Sequence, residues 1–164
     1  MIIILTVLLL SIVSILILNY IKYNTDRFKN KINKNILNST LKHIVNILNN
    51  NNINNWFIAY GTLLGIIREN SCIDNDDDID IITDIENKKK LIILFKNYNY
   101  KLNMNTRNIL QFEKENVLID FYLCEVINGD FYDKHENTIW KNCKEILHYK
   151  WKNVILNIPN NPIL

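Results

Sequence analysis

The chain has 164 residues, 48% of them hydrophobic, and a formal net charge of +2. That length holds one compact domain plus an appendage and excludes a second enzymatic domain. The near-neutral balance, with no basic stripe, gives nucleic acid no electrostatic footprint, so no nucleic-acid partner is expected.

Met1 to Ile21 is apolar apart from Thr6, Ser11, Ser14, Asn19 and Tyr20 and has no charged side chain. A helix of about 20 such residues crosses a bilayer. A cleaved signal would carry a basic start and a small-residue cleavage site, and neither is present, so the segment reads as a retained single-pass anchor that makes the membrane a partner. Residues 22–35 form a basic stem with Lys22, Arg27, Lys29, Lys31 and Lys34. These positive charges favour a cytoplasmic domain. The Asn38-Ser39-Thr40 sequon would suit a lumenal one. In so asparagine-rich a chain a chance sequon is the better reading.

Residues 36–164 read as the catalytic domain. Ile36, Leu37, Leu41, Ile44, Val45 and Leu48 follow a helical period that ends at an asparagine run. The pattern then predicts a strand over Trp56 to Tyr60, a helix over Thr62 to Arg68, a loop to Asn75 and a strand over Asp77 to Ile82. A helix over Glu86 to Tyr98 follows, then a hairpin of Ile109 to Lys114 and Val117 to Cys124 turning at Glu115 and Asn116. Beyond Gly129 the spacing predicts a helix over Thr138 to Leu147 and a strand in "WKNVILNI". The whole is an α+β domain with one mixed sheet and helices packed on it.

The chemistry concentrates in "DNDDDIDII", residues 74–82. Alternate strand residues share a face, so Asp78 and Asp80 point one way and Ile79 and Ile81 the other. Asp76 joins the same side if the strand starts early, leaving Asp77 toward solvent. Such spacing suits a hard divalent cation, Mg²⁺ or Mn²⁺, held by oxygen ligands. Asp120 lies among apolar neighbours in "NVLIDFYLCEV", and a buried carboxylate needs a partner. A strand beside Asp78 and Asp80 would make Asp120 the third carboxylate; a lysine salt bridge is the alternative. An EF-hand fits Asp74, Asp76 and Asp78 but fails where Ile79 replaces glycine and Ile85 replaces glutamate.

Upstream, Gly61 and Thr62 stand where a strand gives way to a helix, a place that attracts phosphate. Gly61, Gly65 and Arg68 share a helical face, which extends this phosphate-binding reading to Arg68. Cys72, Cys124 and Cys143 form an odd set with no CxxC pair, so buried thiols are expected rather than disulfides or a zinc knuckle. His43, His135 and His148 are scattered and read as structural or exposed, not as ligands.

"WFIAYGTLLGIIRENSCIDNDDDIDI" followed by "VLIDFY" resembles the LicD/fukutin family of the nucleotidyltransferase fold. The shared pattern is an aromatic strand, GTLLG, an arginine, a DDDxD block and a later strand with Asp beside an aromatic. Members transfer a phosphate-linked group, such as phosphocholine or a polyol phosphate, from a cytidine-diphosphate donor to a glycan hydroxyl. The resemblance implies Asp78, Asp80 and Asp120 as metal ligands and catalytic residues, Gly61 and Thr62 as the phosphate-facing turn, and Asp76 and Arg68 near the CDP-linked donor. Asp74 and Asn75 stand where members carry Pro-Trp. The chain closes soon after Pro159, where members continue, so acceptor recognition is expected to be missing or supplied by another protein. Two rival readings remain: a DxD glycosyltransferase using a sugar nucleotide, and a non-catalytic membrane-tethered relative.

Overall fold

Asparagine does much of the conformational work that glycine does elsewhere. Only three glycines occur in the sequence. In the computed structural model, which describes residues 13–18, 32–143 and 145–160, left-handed backbone falls at Asn52, Asn55, Asn70, Asn75, Asn99, Asn116, Asn128, Asn137 and Asn142. Asparagine tolerates that region better than other residues with a Cβ. These positions end helices and turn hairpins throughout the domain.

Residues 13–18 are helical and belong to a unit separate from residue 32 onward. The rest of the expected anchor, and the stem through residue 31, lie outside the described residues. Among the described residues no helix is long and apolar enough to cross a membrane.

The domain begins with helix α1 (Lys34–Asn50), capped by the Asn33 side chain, which accepts from the Asn35 N–H at 2.8 Å. Its buried stripe of Leu37, Leu41, Ile44, Val45 and Leu48 matches the expected period, except that Ile36 is exposed and Ile47 is buried. Strand β1 (Trp56–Ile58) leads into α2 (Tyr60–Glu69), a loop, and β2 (Asp78–Asp84). A single 3-10 turn, Ile85–Asn87, precedes α3 (Lys88–Asn97). Then come β3 (Lys101–Asn105), β4 (Ile109–Lys114), β5 (Val117–Ile127), β6 (Asp130–Asp133) and β7 (Thr138–Trp140). A final hairpin pairs β8 (Leu147–Trp151) with β9 (Val154–Ile158).

The central sheet is mixed, in the order β1-β2-β5-β4-β3, with β6 on the end of β5 and β7 beside β6. β2 and β5 run parallel, while β1–β2, β4–β5 and β3–β4 are antiparallel. The β4–β5 hairpin turns at Glu115 (φ 54°) and Asn116 (φ 66°), two successive positive φ values that match the strands' twist. Alternation gives the sheet two unlike faces. Ile79, Ile81, Phe112, Ile119 and Phe121 join the main core with α1 and α3. Phe57, Ile82, Tyr122 and Cys124 form a smaller cluster with Phe131 and Cys143 on the other face.

Two sequence expectations are corrected. Thr138 to Leu147 is not a helix: β7 covers Thr138–Trp140, and Asn142 at φ 57° breaks any continuation. Ile139, Cys143 and Ile146 mimic a helical period by chance. "WKNVILNI" is not one strand, because Trp151 ends β8 and Lys152 (φ 53°) turns the chain into β9. Two short strands, β3 and β6, are additions: β3 alternates only Leu102 and Met104, and β6 has no alternation, its Phe131 and Tyr132 being adjacent. All three cysteines are free and buried, and burial pushes the Cys72 thiol up to about 12.

Candidate active site

The acids meet because of strand register. β2 places Asp78 and Asp80 on one face, and its parallel neighbour β5 sets Asp120 directly opposite Asp80. One carboxylate oxygen from each of Asp78, Asp80 and Asp120 lies within 4.8 Å of the others. Asp76, in the loop ahead of β2, makes a similar group with Asp77 and Asp78. Asp77 is exposed, and its carbonyl accepts from the Leu118 N–H at 3.1 Å, which extends the β2–β5 ladder.

The start of α2 closes the site from the side. The Gly61 N–H donates to Asp80 Oδ2 at 3.2 Å, the Tyr122 hydroxyl donates to Asp80 Oδ1 at 3.2 Å, and the Asp80 N–H donates to Thr62 Oγ1 at 2.9 Å. Thr62 is therefore committed in part to fixing β2 against the helix. A Cβ on Gly61 would lie 3.0 Å from Asp76 Oδ2 and 3.5 Å from Asp80 Oδ2, so glycine lets the helix start approach two carboxylates. Tyr60, just before it, has φ 44°, a conformation that is costly for a bulky side chain. Its hydroxyl donates to Asp133 Oδ2 at 2.6 Å.

The remaining members of that helical face do different work. Gly65 is a packing residue: a Cβ there would lie 2.6 Å from the Ser71 carbonyl oxygen and 2.9 Å from the Ile73 nitrogen. Asn38 holds the same loop, donating to Ser71 Oγ at 2.8 Å and accepting from the Cys72 N–H at 2.9 Å. Its side-chain nitrogen is thus engaged within the fold. Arg68 is exposed in the last turn of α2, roughly 10 Å along the axis from Gly61. Among the described residues no hydrogen bond or ion pair joins it to the acids. At Asn75, where the family pattern has tryptophan, the backbone φ of 70° suits asparagine.

The electrostatics are those of a site built for positive charge. Burial, followed by the charges of Asp80, Asp76, Asp120 and Asp77, pushes the Asp78 carboxyl up to about 8. Burial and then Asp120 push Asp80 up to about 7, against the lowering effect of the Tyr122 and Gly61 hydrogen bonds. Burial raises Asp120, opposed by the Gln111 side chain and the charge of His135. Asp120 Oδ1 is buried without a hydrogen-bond partner, an expensive state for a carboxylate oxygen. Among the described residues no lysine salt bridge satisfies it. Three converging carboxylates with one orphaned oxygen fit a hard divalent cation.

Tyr60, Tyr122 and Asp133 carry no role in the sequence reading, and His135 is read there only as structural or exposed. Tyr122 was accessible, since it stands two residues from Asp120 on the same strand face. Asp133 and His135 lie beyond Gly129, where the pattern carries little signal.

The model of the LicD/FKTN/FKRP nucleotidyltransferase domain matches residues 53–157, well over half of the chain. The chain belongs to this family. LicD-family membership makes the protein a transferase-type domain of nucleotidyltransferase fold, with a central mixed sheet. Among solved structures it is similar to lincosamide antibiotic adenylyltransferase LnuA in its lincomycin-bound form, with TM-score 0.56 and 15% identity over 79% of this chain and 82% of that one. It is also similar to the antibiotic-resistance factor ANT(2'')-Ia, with TM-score 0.52 and 14% identity over 60% of this chain. The match spans about half, 52%, of the ANT(2'')-Ia chain. At these identities the likeness is one of fold. No curated protein matches the chain significantly in sequence.

Proposed function

We propose that this LicD-family domain transfers a substituted phosphate, of the phosphocholine or polyol-phosphate type, from a CDP-linked donor to a glycan hydroxyl. The observation that carries the reading is the convergence of Asp78, Asp80 and Asp120 beside the Gly61 turn, with Asp120 Oδ1 unpartnered. Asp78, Asp80 and Asp120 would hold Mg²⁺ or Mn²⁺. When bound, the cation supplies Lewis-acid stabilisation of charge on the phosphate oxygens.

The chain's own residues divide the remaining tasks. Asp80, gripped on both oxygens by Gly61 and Tyr122, is a fixed ligand. Asp120 would turn its orphaned Oδ1 to the cation, and its other oxygen would take the proton of the attacking hydroxyl. The acceptor oxygen forms a bond to the donor phosphorus as the bond to the leaving nucleoside monophosphate breaks. The Gly61–Thr62 turn, at the positive end of the α2 dipole, faces the donor phosphates. Asp76 sits beside this turn and would lie near the donor. Arg68 would contact the donor at a distance from the reacting phosphorus. The apolar first segment would hold the domain at a membrane, near a glycoconjugate acceptor.

The test is a screen of the full chain, kept in detergent, against CDP-linked donors with and without Mg²⁺ or Mn²⁺. Metal-dependent release of CMP that requires Asp78 and Asp80 is the expected result. Turnover of sugar nucleotides instead, or CMP release that survives both Asp78→Ala and Asp80→Asn, would reject the reading.

A further inference from the structure

The site as described is nearly all acid, and the carboxylates of Asp78, Asp80 and Asp120 together with a donor diphosphate carry more negative charge than one divalent cation cancels. Phosphoryl transfer sites therefore also present N–H donors to the phosphate oxygens. Arg68 stands two helical turns from Gly61. Among the described residues, His135 is the basic side chain whose charge acts on the carboxylate cluster, through Asp120.

His135 lies in the turn between β6 and β7, and its ring centroid is 5.7 Å from that of Tyr122, whose hydroxyl holds Asp80. The turn is pinned. Asp133, 2% exposed, accepts on Oδ1 from the His135 N–H at 2.8 Å and the Glu136 N–H at 3.2 Å. Its other oxygen accepts from the Tyr60 hydroxyl at 2.6 Å. One buried carboxylate thus ties the segment carrying His135 to the residue just ahead of Gly61. The imidazole itself stays available: its side chain is 42% exposed, and its ion-pair contact is Glu136 Oε1 at 3.6 Å, itself 47% exposed. Such a surface pair contributes little and yields readily to a ligand.

We infer that the β6–β7 turn is a further wall of the active site, that His135 donates a ring N–H to a phosphate oxygen of the bound donor, and that Asp133 is the positioning residue for both His135 and the Gly61 turn. The inference rests on the nucleoside-diphosphate reading of the site.

Calorimetric titration of the full chain in detergent, first with Mn²⁺ alone and then with CDP at saturating Mn²⁺, tests it. His135→Ala leaves the Mn²⁺ affinity within about twofold and weakens CDP about 10-fold, the loss of a charge-assisted hydrogen bond. His135→Arg restores CDP binding to within about threefold, because any well-placed cationic donor serves. Asp133→Asn weakens CDP although His135 is still present, and adds nothing further in combination with His135→Ala. If Asp133→Asn fails to fold, Tyr60→Phe, which deletes one of the Asp133 donors, takes its place with the same expectation. CDP affinity within twofold of the parent in His135→Ala overturns the His135 assignment alone. Parent-like CDP binding in Asp133→Asn, or in Tyr60→Phe where that replaces it, overturns the positioning role. A folded parent protein that binds Mn²⁺ but no CDP, or neither, refutes the donor reading and this inference with it.

Discussion

The two faces of the β2–β5 pair are built to opposite rules. On one, Ile79, Ile81, Ile119 and Phe121 are buried and pack with α1 and α3. On the other, one residue away along the same strands, Asp80 and Asp120 are nearly as buried, at 5% and 8% exposed. The first face stabilises the fold through apolar area removed from water. The second works against it, since carboxyls are forced together out of solvent and one oxygen is left without a donor. The lesson is that the apolar face supplies the rigidity that holds the acids in an arrangement they would not adopt alone.

Exchanging the two effects is the sharpest way to break this contrast. Asp80→Asn lowers metal-dependent turnover on the order of 1000-fold, in the range of losing a key charge-stabilising group. Its melting temperature stays at or above that of the parent, because one repelling carboxyl is gone. Steady-state kinetics beside a thermal melt checks both halves. Phe121→Ala, on the opposite face, does the reverse: it destabilises by about 3–5 kcal/mol, read in denaturant titration, and leaves cation affinity near the parent value wherever the protein is folded.

Gly65→Ala tests packing next to the site rather than in it. Its Cβ would press on the Ser71 and Ile73 backbone, at a cost of about 1–3 kcal/mol. The same denaturant titration measures it.

The response to pH separates the faces without mutation. Folding raises the carboxyls of Asp78 to about 8 and Asp80 to about 7 from 3.8. The folded state therefore holds protons that the unfolded chain has released. Their stabilising contribution is complete below 3.8 and is lost as pH rises through about 7 to 8. Metal-free protein should melt at progressively lower temperature across that window, and Asp78→Asn should flatten the slope. A profile unchanged by Asp78→Asn would count against the raised carboxyls.

Tyr122→Phe is the smallest change, removing one hydroxyl donor from Asp80. It costs about 0.5–1.5 kcal/mol and raises the Asp80 carboxyl further, since that hydrogen bond lowers it. Cation binding then weakens at neutral pH and recovers as pH is raised, which a pH series of Mn²⁺ titrations would show.

What the sequence reveals follows the same contrast. The β2 strand was legible because aspartate and isoleucine alternate from Asp78 to Ile81, and β5 because a long apolar run carries a single aspartate; one parity rule then puts Asp78, Asp80 and Asp120 on faces that can meet. The GTLLG stretch was legible because glycine beside a helix start has few other uses. Parity alone does not reveal register: that Asp80 sits opposite Asp120 depends on the parallel pairing of strands separated by α3 and two further strands. Nor did a shared helical face distinguish Gly61, which touches the acids, from Gly65, which packs on a loop. The β6–β7 turn was hidden because Asn137 reverses the chain by backbone conformation, as Asn142 does after β7, with no glycine or proline to mark either place. Asp133 went unread with it, and His135 was read only as structural or exposed.

The central claim is that Asp78, Asp80 and Asp120 together hold a divalent cation. Calorimetric titration of the full chain with Mn²⁺ near pH 7, in two buffers of different ionisation enthalpy, tests it most directly. The account predicts saturable binding that releases about one proton, because cation binding favours deprotonated ligands, and loss of both binding and proton release in Asp78→Asn and Asp120→Asn. Folded protein that binds no Mn²⁺, or binds it equally well without these carboxylates, would contradict it.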